Sequence, residues 1–124
     1  MKKFYFQLNE FDPKILSSVI EAGCDAIVTS GKHIKEIKAM SIIPVISEDE
    51  SADMVIGRDI IDVLIRGQAD EALVVREGGK IPTIIRNLDW TIIPLENLIS
   101  KTKNLIQHVR TAEQAGLALE IMER

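Results

Sequence analysis

The chain has 124 residues, 46% of them hydrophobic and 27% charged, the balance of an ordinary globular domain large enough to bury one core. A formal net charge of −4 excludes a general affinity for nucleic acid or anionic membranes, which demands clustered cations. The single cysteine, Cys24, excludes an internal disulfide and a cysteine-rich zinc site.

The opening Met-Lys-Lys-Phe-Tyr-Phe-Gln turns polar too soon for a secretory signal, and no apolar run reaches the ~20 residues that cross a bilayer. A cytoplasmic protein is therefore expected. Residues 4–8 read as a strand. Asp12 then caps a helix with Pro13 at its first position, because the carboxylate accepts an orphan N–H and proline has none to lose. Ile15, Leu16, Val19 and Ile20 share one helical face, and Gly23 ends the helix. Residues 26–29 form a second strand. Ser30 caps a short basic helix whose lysines face solvent and whose inward face is Ile34, Ile37 and Met40. Residues 42–46 form a third strand, with Pro44 marking an edge or a bulge. The acidic residues 48–50 form a loop, and residues 54–56 a fourth strand. Ile60, Ile61, Leu64 and Ile65 are expected to line a helix closed by Gly67.

The stretch 71–85 is ambiguous. Two apolar runs flank Gly78-Gly79 at a separation too short for a parallel crossover, so a hairpin, or a strand with an irregular extension, is expected. Beyond Pro94 a helix buries Leu95, Leu98 and Ile99. Residues 104–109 form a last strand, and Thr111 with Gln114 makes a capping-box pair before a helix burying Ala115, Ala118, Leu119 and Met122. Alternating strands and helices predict an α/β fold with a predominantly parallel sheet. A single domain over residues 1–124, resembling part of a (β/α) barrel, is expected.

In such folds the chemistry lies at the C-terminal ends of strands. Polar candidates there include Gln7, Asn9, Thr29, Ser30, Ser47, Glu48, Arg76, Glu77, Arg86, Asp89, His108 and Arg110. Most such groups are helix caps or solvated loop residues, and Ser30 and Thr111 have capping roles available. Asp89 is different: Leu88, Trp90, Ile92 and Ile93 surround it in sequence. An unpaired carboxylate there would lose its solvation at heavy cost. It either pairs, with Arg86 or Arg76 as partners, or has a raised pKa suited to proton transfer. Glu96 and Asn97 fall in the first turn after Pro94, where they satisfy exposed N–H groups or hold a substrate oxygen. His33 and His108 share no metal-ligand spacing with Cys24 or a carboxylate pair, so no metal site is expected. No strand is followed by Gly-x-Gly-x-x-Gly, and no Gly-x-Ser-x-Gly or Cys/His nucleophile pair occurs.

The run Asp-Trp-Thr-Ile-Ile-Pro-Leu-Glu-Asn-Leu-Ile at 89–99 and the stretch 111–124 resemble the archaeal-type (class II) 3-dehydroquinate synthases, most strongly over residues 83–124. The resemblance implies an NAD-dependent oxidative deamination and cyclisation of a seven-carbon amino-keto acid in aromatic amino-acid biosynthesis. It implies that Asp89, Glu96 and Asn97 match the family motif. Asp89 is then the proton acceptor, with Glu96 as a second catalytic group, Glu96 and Asn97 orienting substrate oxygens, and Arg86 contacting substrate. It gives no cofactor-binding residues. The family has a further helix and strand near residues 71–86, so this chain is expected to depart from the pattern by being shorter there, and the family continues into a second, β-rich half beyond this chain. Expected partners are a small-molecule substrate and either a second copy in a homodimer or that missing C-terminal half. The alternative is a small α/β binding or interaction module without catalysis of its own.

Overall fold

The computed structural model describes residues 4–87, Leu98, Lys101, Thr102, residues 105–108 and Gln114. Contacts divide it into two units, Met1–Arg58 and Asp59–Arg124, and all described strand pairs are parallel. The fold is α/β.

The first unit runs β1 (Tyr5–Leu8), α1 (Pro13–Glu21), β2 (Ala26–Thr29), a 3₁₀ turn (Gly31–His33), α2 (Ile34–Met40), β3 (Val45–Ser47) and β4 (Met54–Val55). The strands pair in the order β1-β2-β3-β4. Asp12 starts α1 as its position predicts: Oδ1 accepts from the N–H of Lys14 at 2.9 Å and of Ile15 at 3.5 Å, with Pro13 in the first turn. The helix ends in a Schellman arrangement. Gly23 takes φ +94°, its N–H donates to Ile20, and the N–H of Cys24 donates to Val19, satisfying carbonyls that the helix leaves open. Leu16, Ile34 and Ile37 pack on Leu8, Ile27, Val45 and Ile43, with Val19 and Ile20 at the margin. Each fully buried aliphatic side chain of this kind contributes roughly 1.5–3 kcal/mol.

Two expectations fail here. Met40 is 46% exposed rather than inward, because α2 ends there and Ser41 is already extended. Nor does Pro44 mark an edge. It precedes β3, which pairs on both sides, and its carbonyl accepts from Ile27 N–H at 3.0 Å. A proline just before a strand forfeits no ladder donor.

The second unit runs β5 (Ile61–Ile65), α3 (Gln68–Gly78), β6 (Thr83–Asn87) and β7 (Leu105–Gln107), with strand order β5-β6-β7. The expected helix over residues 60–65 is a strand. Ile, Ile, Leu and Ile at those positions match one helical face, but a short β-branched run also suits a buried strand, and periodicity alone does not separate the two. Gly67 opens a helix instead of closing one, as the N-cap of α3. The expected hairpin at 71–85 is also overturned: α3 is a crossover helix joining two parallel strands. Asp70 and Glu71 in its first turn and Arg76 in its last suit the helix dipole, and Asp70 Oδ2 reaches back to the N–H of Arg66 at 2.9 Å. The helix and strand that the family has near 71–86 are therefore present, and the expected departure from its pattern is overturned as well. Val74, 0% exposed, packs with Val63, Ile65, Ile85 and Leu98.

Leu98 is helical and buried, and the N–H groups of Lys101 and Thr102 return to its carbonyl at 2.9 and 3.1 Å. This fits the helix expected after Pro94. The other positions of its apolar face, and the helix expected beyond Thr111 apart from Gln114, lie outside the described residues.

Candidate functional site

Parallel pairing places the C-terminal ends of β1 to β4 on one edge of their sheet. The polar residues there are bound to one another. Thr29, buried, donates from Oγ1 to the carbonyl of Leu8 at 2.9 Å. Gln7 Nε2 donates to Asn9 Oδ1 at 3.0 Å. Ser30 caps the 3₁₀ turn weakly, accepting from Lys32 N–H at 3.4 Å.

Between the loops after β2 and β3 the contact is close. Glu48 Oε1 accepts from Gly31 N–H at 3.0 Å and Oε2 from Ser47 Oγ at 2.9 Å. The Gly31 amide, then the amide of Glu48 itself and the Ser47 hydroxyl, hold the Glu48 carboxyl below its ordinary range. A Cβ built on Gly31 would lie 2.8 Å from Asp49 Cβ. Asp49 accepts from Ser51 Oγ at 2.6 Å and Ser51 N–H at 2.9 Å, and these two bonds lower its carboxyl as well. Asp53 completes the loop: its Oδ2 accepts from Val45 N–H at 2.8 Å while its N–H donates to Val45 at 2.9 Å. That exchange lets β4 pair with β3 in parallel without an intervening helix.

His33 is buried against Phe11, ring centroids 6.4 Å apart. Its Nδ1 lies 3.6 Å from Glu36 Oε1, and neither ring nitrogen has a hydrogen-bond partner among the described residues. Burial is the chief influence on Cys24 and pushes its thiol up, away from nucleophilic use. Among the described residues no three His, Cys, Asp or Glu side chains converge on a metal position.

In the second unit Arg86 and Asp62 meet as a fork: Nε to Oδ1 at 2.7 Å and Nη2 to Oδ2 at 2.8 Å. The two side chains are 25% and 22% exposed. Register places Arg86 beside Leu64, so it reaches diagonally back to the second residue of β5. Arg76 pairs with its neighbour Glu77 at 3.2 Å. Both arginines considered for Asp89 thus have carboxylate partners within the described chain. Asp89, Glu96 and Asn97 lie outside the described residues. Sequence reasoning missed Asp62, whose place inside an apolar run was the available signal. A groove of about 560 Å³ runs beside α3, lined by Gln68, Glu71, Ala72, Val75, Arg76, Leu98 and Lys101; Arg86 is not among its described walls.

A dinucleotide seats its pyrophosphate on free N–H groups where a strand turns into a helix. The described turns offer poor seats. Asp12 takes the first N–H groups of α1, Glu48 takes the amide of Gly31, and Asp70 and Glu71 stand in the first turn of α3. Each brings a carboxylate to the place where a phosphate would need positive potential, so these turns do not fit NAD.

The whole chain, residues 1–124, matches the family model for the 3-dehydroquinate synthase II N-terminal domain. A protein named 3-dehydroquinate synthase homolog from Aquifex aeolicus (strain VF5) is 38% identical over 125 residues, covering 100% of this chain and 37% of that protein. A 3-dehydroquinate synthase from Methanoregula boonei is 30% identical over 124 residues, 100% of this chain and 36% of that protein. Another from Methanocaldococcus jannaschii is 30% identical over 135 residues, 90% of this chain and 37% of that protein. No solved structure matches. The chain spans a little over a third of the length of these relatives. It belongs to the 3-dehydroquinate synthase II family and corresponds to that family's N-terminal domain.

Proposed function

We propose that the chain forms the N-terminal part of a class II 3-dehydroquinate synthase, acting in the cytoplasm in aromatic amino-acid biosynthesis. The reaction is the oxidative deamination and cyclisation of a seven-carbon amino-keto acid, with NAD as oxidant. The observation that carries this reading is the family match over residues 1–124. The sequential strand orders β1-β2-β3-β4 and β5-β6-β7 support a partial (β/α) barrel, a fold that gathers functional groups at one end of its strands.

In this reading Asp89 accepts a proton from the substrate, Glu96 and Asn97 orient its oxygens, and Arg86 binds its carboxylate, the anion whose geometry a guanidinium matches. The acid-filled turns of the described residues favour an NAD seat elsewhere. They also favour a second reading of the chain by itself, as a binding module without catalysis of its own.

The test compares the chain alone with the protein as encoded, following NADH formation with the seven-carbon amino-keto acid. The chain alone is expected to show little or no activity. In the encoded protein Asp89→Asn is expected to lower kcat by roughly 10²–10⁴-fold, the usual contribution of a positioned acid or base. Undiminished turnover in that variant would remove Asp89 from the mechanism.

A further inference from the structure

We draw no further inference here: the strongest candidate, the groove beside α3 between Val75 and Leu98, is lined by charges of both signs, Glu71 against Arg76 and Lys101, and nothing in the structure shows what covers it.

Discussion

Gly31 carries two contacts that no other residue type accommodates together. Its amide donates to Glu48, and its bare Cα lies where a methyl would stand 2.8 Å from Asp49 Cβ. That neighbour is the root of a side chain, fixed by the two bonds from Ser51, so relief requires a shift of backbone. Gly31→Ala is expected to destabilise the protein by about 1–3 kcal/mol, the usual cost of overpacking, despite the modest gain alanine brings by restricting the unfolded chain. Urea denaturation of Gly31→Ala, Asp49→Gly and the double variant checks it. A coupling energy of about 0.5 kcal/mol or more is expected for two residues in contact, and additive effects would refute the steric account. The same junction predicts a pH dependence. Glu48 has a lowered carboxyl pKa in the folded chain, so its contribution to stability is present above its unfolded pKa. That contribution is lost as pH falls through the lower folded value. Glu48→Gln should therefore flatten the acid limb of the stability curve, with the gap to the parent widest near neutrality and closing in acid. The gap stays small because the side chain is exposed and solvent screens it. Parallel limbs for parent and variant would contradict this.

Legibility at the level of elements followed how many independent signals agreed. Asp12, Pro13 and Gly23 bracket α1 with three separate mechanisms, and the helix stands between them. The strand Ala26–Thr29 was readable because β-branched residues filled it and turn residues flanked it. Misreadings cluster in residues 60–85, where one glycine and one apolar run each admitted two meanings. Gly67 suits an N-cap as well as a C-cap, and the paired acids that follow it decide for a helix start. Val74-Val75 suggested a strand, yet tertiary packing of Val74 against Val63 and Ile85 outweighs the weak β preference of the pair. Once the helix is shifted by this one element, β5 and β6 become a parallel pair joined by a crossover of ordinary length. Arg86 was legible from its place at a strand's C-terminal end, while Asp62 lies outside the motif wording and meets Arg86 only through strand register, which a linear sequence does not display. Gly31 and Glu48, 17 residues apart, escaped notice as a pair for the same reason.

For the molecule as a whole, strand order decides which edges are open to association. With β3 paired on both sides, residues 42–46 offer no edge. Among the described residues β1 and β4 close one sheet and β5 and β7 the other, each paired on one side. Outer strands present unpaired N–H and C=O groups that proteins cover or blunt. The described surface also holds Ile42 at 103% and Phe4 at 44% exposure, apolar side chains whose burial would favour a partner. A two-fold pairing of chains is the commonest way to cover such features. The chain is therefore expected to self-associate as a homodimer, burying more than roughly 1,000 Å² in total. Sedimentation equilibrium should return twice the chain mass, and Ile42→Lys should shift the balance toward monomer if residues near α2 contribute. A monomer at high micromolar concentration would refute the dimer. A dimer indifferent to Ile42→Lys would place its interface on one of the sheet edges instead, which a hydrogen-exchange comparison of β1 and β7 amides at low and high concentration would then locate.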